Sequence, residues 1–223
     1  NAAIGSNTIS AASTPNVCSS IPAPAANGNA ATGGTGSYVY QWESSTTSSS
    51  AGFSPISGAN SQNYSPGLLA QNTWFRRIIS SGVCPASTSN VLAYTVTQPI
   101  QNNDASGGPQ TICTGSIPGQ LSGSVPTDGN GTSYSYIWQQ SSTLNGSYSN
   151  ISVATAQNYQ PPALSATTFY RRQVTSGFCS STFSDTIQVT VNAQIGTNTI
   201  SAASTPNVCS SIPAPAANGN AAT

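Results

Sequence analysis

The sequence contains no lysine, no histidine and no methionine, and only 4% of its residues are charged, against roughly 25% in an ordinary soluble domain. Its cations are Arg76, Arg77, Arg171 and Arg172, and its anions are Glu43, Asp104, Asp128 and Asp185. Each shortage excludes a class of function. There is no basic stripe to displace counterions from phosphates, so the chain is not read as a nucleic-acid binder. An anionic membrane surface finds little to hold for the same reason. Without histidine, Ser–His and Cys–His pairs cannot form. Without lysine there is no Ser–Lys dyad, no Schiff base and no P-loop. The carboxylates are too scattered for a calcium cage or a glycosidase pair, and the cysteines are not spaced as zinc ligands. No catalytic residue, cofactor or metal is therefore expected. Apolar runs are only a few residues long, so no segment is read as a membrane span. A net charge of zero removes the repulsion that keeps proteins apart in solution. That suits a material that packs side by side, or one made soluble by attached sugar.

What the chain does have is repetition. Residues 195–223 copy residues 4–32, with Thr197 in place of Ser6, so that 28 of 29 positions agree at an offset of 191. Internal repeats at a fixed period mark tandem arrays. A second comparison divides the period in two: Thr73 to Cys84 aligns with Thr168 to Cys179, and Tyr38 to Trp42 with Tyr134 to Trp138. Two related modules are expected, over residues 4–98 and 99–193, followed by the first strands of another module at 195–223.

Each module reads as short strands. In Tyr38 to Glu43 the large aromatics alternate with Val39, Gln41 and Glu43, the period-two pattern of a half-buried strand. Tyr134, Tyr136 and Trp138 repeat it. Further strands are expected at 7–12, 19–29, 53–56, 62–69, 73–80 and 91–97, the second interrupted by Pro22 and Pro24. No segment has the 3.6-residue period of an amphipathic helix. The fold class expected is all-β, with tandem immunoglobulin-like sandwiches of about 95 residues. Trp42 and Trp138 are the expected core centres.

Cysteine spacing repeats as well. Cys18 and Cys84 are 66 residues apart, and so are Cys113 and Cys179. Equal spacing argues for one disulfide inside each module, Cys18–Cys84 and Cys113–Cys179, with Cys209 paired beyond the sequence. The alternative is free buried thiols. The order Cys, Trp, Cys resembles the immunoglobulin-like fold, but here the cysteines flank the second and sixth strands instead of lying in them. The bridge is therefore expected to tie loops at one end of the sandwich. The paired arginines lie on one strand of each module and must face opposite ways. Arg77 and Arg172 are expected inward, near an aromatic such as Trp42 or Trp138 or on loop carbonyls. Arg76 and Arg171 are expected outward beside Trp74 and Phe169, as a possible ligand contact or simply a solvated face.

The Tyr-x-Tyr-x-Trp strand, the Tyr-x-Pro bend at Tyr64 and Tyr159, and the Thr-Trp/Phe-Phe/Tyr-Arg-Arg strand running through Ser-Gly to Cys together resemble tandem immunoglobulin-like repeats of very large Bacteroidetes-type cell-surface proteins. Gliding adhesins and other cargo of type IX secretion carry such arrays. The resemblance implies an extracellular, cell-attached, structural or adhesive protein. Its partners would be neighbouring repeats, other copies of itself or surface glycans. Asp185-Thr186-Ile187 fits the O-glycosylation pattern of those bacteria, and Asn63, Asn130, Asn145 and Asn150 open Asn-x-Ser/Thr triplets. The joints at 96–100 and 191–195 contain no Gly/Ser tether, so a rod stiffened at each joint is expected. The expected function is a structural repeat of a filament, sheath or adhesin stalk. The alternative is an adhesive module that binds a glycan or partner through outward aromatic and Arg residues.

Overall fold

The computed structural model describes residues 2–196, 198–202 and 217–219. The first module contains β1 (Ile9–Ala11), β2 (Asn16–Cys18), β3 (Ala26–Gly28), β4 (Val39–Ser45), β5 (Ser54–Pro55), β6 (Thr73–Ser81), β7 (Cys84–Thr88) and β8 (Leu92–Gln101). The second contains β9 (Ala105–Ser106), β10 (Gln110–Cys113), β11 (Ser122–Gly123), β12 (Thr127–Gly129), β13 (Ser135–Ser141), β14 (Ser149–Asn150), β15 (Thr168–Thr175), β16 (Thr182–Phe183) and β17 (Ile187–Asn192). A last hairpin, β18 (Ile200–Ala202) with β19 (Ala217–Gly219), pairs Ile200 with Gly219 as β1 and β3 pair Ile9 with Gly28. The chain is all-β among its described residues, with two tandem sandwich modules.

In each module the larger sheet runs from a parallel edge strand through four mutually antiparallel ones. In the second module its order is β10-β17-β15-β13-β14; in the first, β2 lies parallel on β8, followed by β6, β4 and β5. The opposing layer is small: β1 with β3 in one module, β9 with β11 in the other. Residues 62–69, expected as a strand, contribute only isolated bridges from Tyr64 to Ala26 and from Gly67 to Ala23. Pro66 has no N–H to offer a ladder, which limits the pairing to those contacts. Two short strands, β2 and β7, arise in stretches that lack any period-two pattern.

The cores follow the aromatic alternation. Trp42 and Trp138 are fully buried, and each indole N–H is satisfied, by the carbonyls of Ser61 (2.9 Å) and Ala156 (3.2 Å). Trp42, Tyr64, Phe75 and Tyr94 form a relay of tilted and edge-on rings with centroids 5.6–5.7 Å apart. Trp138, Tyr159 and Tyr170 repeat it at 5.9–6.0 Å. The outward phase is not wholly exposed: Glu43 and Ser45 on β4, and Gln139 and Ser141 on β13, are buried, Glu43 being the one that carries charge. The side chain of Arg76, directly opposite on β6, lies over Glu43 and binds it.

The joint is a strand, not a loop. Residues Leu92–Phe75 and Tyr94–Thr73 pair β8 with β6 in the first module. Further along the same strand, Gln98 and Gln101 pair with Gly129 and Thr127 of β12 in the second. The expected boundary at 98/99 thus falls inside a continuous strand shared by both modules.

Candidate functional site

Each core is closed by a buried arginine. Arg77 and Arg172 have no exposed surface, and among the described residues neither makes a salt bridge. Every oxygen around Arg77 is neutral. Its Nε and Nη2 donate to Asn7 Oδ1 at 3.1 and 2.9 Å, Nη1 donates to Gln62 O at 2.8 Å, and Nη2 also reaches Asn29 O and Oδ1 at 3.0 Å. Arg172 repeats the arrangement with Asn103 Oδ1 (3.0 Å), Gln157 O (3.2 Å) and Ser124 O (3.0 Å). Burial lowers the pKa of both, opposed by Tyr40 beside Arg77 and by Tyr136 and Asp104 near Arg172. A charge taken out of water is tolerated when its donors are fully used. Tyr40 and Tyr136 supply ring faces 5.2 and 5.1 Å from the two guanidiniums. Trp42 lies farther from Arg77, at 6.0 Å.

The arginine needs room. A Cβ on Gly28 would sit 1.7 Å from Arg77 Nη1, and one on Gly123 would sit 1.8 Å from Arg172 Nη1. Both glycines therefore hold the guanidinium against bare backbone. The network ties β6 to residues 28–29 at the end of β3 and to the 62–63 segment, and so joins the two layers. In antibody domains a disulfide between the second and sixth strands makes that link. With arginine in this role, the cysteines are released for another.

That role is at the joint. Cys18 is bonded to Cys179 of the second module, with Cα atoms 4.8 Å apart and 161 residues between them in sequence. Cys84 and Cys113 are free. The expected pairs Cys18–Cys84 and Cys113–Cys179 therefore do not form, and the reason is strand direction. β2 runs parallel to β8 in a register that sets Cys18 opposite Thr97, at the C-terminal pole of the first module. β6 runs antiparallel to β8 and ends at the N-terminal pole, where Cys84 Sγ lies 3.7 Å from Ala2 O. The two cysteines of one module thus stand at opposite poles. A 66-residue spacing in both modules fits either pairing, so spacing alone could not choose. Cys209, whose partner was expected beyond the sequence, lies outside the described residues.

The bridge is backed by packing. Cys179 Sγ lies 3.3 Å from Thr97 O on the shared strand. Phe178 of the second module faces a cleft of about 200 Å³ on the first, lined by Val17, Cys18, Ile21, Pro22 and Pro24. Ser176 Oγ accepts from Asn130 N at 3.1 Å and donates to Ser133 O at 2.7 Å, fixing the turn that carries Phe178 and Cys179. The one sequence signal for this joint was the apolar residue before each closing cysteine, Val83 and Phe178, at a position where a turn ordinarily carries polar residues.

Of the expected contact residues, the two arginines are already engaged. Trp74, Arg76, Phe169 and Arg171 are all half-buried. Arg76 Nε binds Glu43 Oε2 at 2.6 Å and its guanidinium covers the Phe53 ring at 4.2 Å. Arg171 Nε donates to Gln139 Oε1 at 2.8 Å and lies between Tyr148 and Phe183, at 4.2 and 4.1 Å. Thr186 is exposed, with Oγ1 3.4 Å from the Tyr148 hydroxyl. Asn63, Asn130 and Asn150 use their side-chain oxygens inside the fold, accepting from Gly28 N, Thr132 N and Gln139 Nε2. A larger open cleft of about 470 Å³ in the second module is lined by Ser, Thr, Ala, Gln and Leu side chains, with no titratable group. Among the described residues there is no cluster of three or more potential metal ligands, and no helix long and apolar enough to cross a membrane.

The family described as Domain of unknown function (DUF8696) matches residues 6–98 and again residues 102–193. The chain belongs to this family, as two tandem copies. Among solved structures it is similar to a mouse coronavirus receptor-binding domain complexed with its murine receptor, at 13% identity and TM-score 0.43, over 83% of this chain and 100% of that one. It is also similar to the fibronectin(III)-like modules of Clostridium thermocellum CbhA, at 11% identity and TM-score 0.35, over 84% of this chain and 94% of the other. Likeness at that level says nothing of what this DUF8696 chain binds. No curated protein matches it.

Proposed function

We propose that this DUF8696 pair is the structural repeat of an extracellular filament, sheath or adhesin stalk, built to transmit tension. The observation that carries the reading is the Cys18–Cys179 bridge beside the shared strand β8. A binding module needs a rigid surface, but it does not need its neighbour covalently clamped at a second point. A tension-bearing element does, because a joint made of one strand alone can hinge. The disulfide supports the extracellular reading, because such bonds persist in oxidising compartments. The near absence of charge fits lateral packing among copies. Resemblance to gliding-adhesin repeats points the same way.

Electron microscopy of the native material tests this directly. Straight, beaded rods are expected, with a narrow distribution of angles between adjacent beads that broadens on treatment with dithiothreitol. Compact particles, or an angle distribution already broad before reduction, would overturn the structural reading.

A further inference from the structure

The Cys18–Cys179 joint has two unmade halves elsewhere in the chain. At the N-terminal pole of the first module, Cys84 occupies the place that Cys179 holds in the second, one residue after Val83 as Cys179 follows Phe178. Its sulfur rests on a backbone oxygen of the incoming segment, Ala2, as that of Cys179 rests on Thr97. The incoming segment itself pairs alike: Ala2 bridges Gly34 as Gln98 bridges Gly129. The supporting turn is also repeated, with Thr35 N donating to Ser81 Oγ as Asn130 N donates to Ser176 Oγ. Yet Val83 is 95% exposed, whereas Phe178 is 53% exposed.

At the other pole, Cys113 is set opposite Asn192 on β17 in the same parallel register that sets Cys18 opposite Thr97 on β8. Cys113 is exposed. Ile117, the counterpart of the cleft residue Ile21, is 66% exposed against 47%. A thiol, a bare apolar residue and a prebuilt backbone register thus recur together at each pole.

We infer that every joint of the array is made by the same rule: the opening cysteine of one module is bonded to the closing cysteine of the next. Cys113 is then joined to the closing cysteine of the module that begins at residue 195. Residues 195–223 copy the first module, so that closing cysteine sits in a segment like Ser80 to Ser87, with a valine before it. Cys84 is joined to the opening cysteine of a module of the second type. Each bond forms by exchange with an incoming disulfide: two thiols lose two protons and two electrons, and that disulfide is reduced to two thiols. This rests on the structural reading above and adds its covalent pattern.

The consequence is a ladder of overlapping bridges. From Cys179 to Cys209 there are 30 residues, whereas a whole period has 191. A chain pulled from its ends is held on a covalent path of 30 residues per period, about 110 Å fully extended, where a reduced chain could reach about 690 Å. Oxidised arrays would thus extend about sixfold less than reduced ones.

Disulfide mapping of the native full-length chain by non-reducing proteolysis and mass spectrometry tests the rule. All four cysteine contexts differ: Asn16-Val17-Cys18, Thr111-Ile112-Cys113, Gly82-Val83-Cys84 and Gly177-Phe178-Cys179. The expected cross-linked peptides join the first context to the fourth and the second to the third, with free thiol confined to the two end modules of the array and a covalent size of one chain. First joined to third and second to fourth would overturn the rule. So would free thiols at the second and third contexts in proportion to the number of modules, or covalent multimers bonded through them. None of these results would by itself disturb a rod seen in the microscope, so the two readings fail separately.

Discussion

The two modules reach the same core with different parts. In the first, Phe75 on β6 packs against Tyr94 on β8; in the second, the tyrosine has moved to β15 as Tyr170 and Val189 takes its place on β17. Tyr94 donates to Pro24 O at 2.7 Å. The Tyr170 hydroxyl has no hydrogen-bond partner among the described residues. On the outer face, Glu43 and Arg76 make an ion pair where Gln139 and Arg171 make a neutral contact in the same register. The core tryptophan and the buried arginine, with its asparagine, its glycine and its carbonyl partner, are the same in both. Rings of similar volume can trade places across a core. The guanidinium cannot, because its donors tie several segments at once, at Asn7, Asn29 and Gln62 around Arg77.

The largest effect should come from removing what binds the modules to each other. Cys18→Ser opens a loop of 161 residues, worth roughly 5 kcal/mol on the chain-entropy account. Calorimetry should show one coupled unfolding transition in the oxidised protein and two in the variant. A single unchanged transition would mean that β8 alone couples them.

Next come Arg77→Met and Arg172→Met. Each removes the partner of several buried oxygens and should cost its own module about 3–5 kcal/mol, read by urea denaturation. Equal losses would show that the staple is the shared element; a loss in one module alone would break the equivalence.

The tyrosines sharpen the contrast. Tyr94→Phe loses a hydrogen bond and should cost about 1 kcal/mol, whereas Tyr170→Phe removes an unpartnered hydroxyl and should be neutral or stabilising. Burial pushes both hydroxyls up to about 12, with Tyr159 adding to the effect at Tyr170. An unfolded tyrosine ionises near about 10. The folded state therefore favours the protonated form, and that stability is complete below about pH 10 and lost as pH rises towards about 12. Stability measured from pH 8 to 11.5 should fall over that window, and less steeply in the doubly substituted protein.

The smallest effect is expected at Glu43→Gln, which turns the first module's outer pair into the second's. With the Arg76 side chain still 31% exposed, the pair is worth at most about 1 kcal/mol. A larger loss would show that Glu43, though on the outward phase, belongs to the core.

Alternation and the inward phase of Arg77 and Arg172 were legible because each depends on neighbours within a few residues, and tandem repetition because it is a property of the residue order itself. The short edge strands β2 and β7 were not, since proline, cysteine and serine carry no periodic signal there. Their pairing comes from β8 and β6 lying alongside. Trp74, Arg76, Phe169 and Arg171 read as an outward surface. The two arginines are instead taken up by Phe53, Glu43, Tyr148, Phe183 and Gln139, residues brought near only by the fold.

By itself, the order of residues determined that this is a chain of all-β modules, where each core is centred, and that charge chemistry has little place in it. Which cysteine meets which was decided by tertiary structure alone. A spacing along the chain says how far apart two thiols are in residues, but not at which pole each emerges. That depends on whether the strand carrying it runs with β8 or against it.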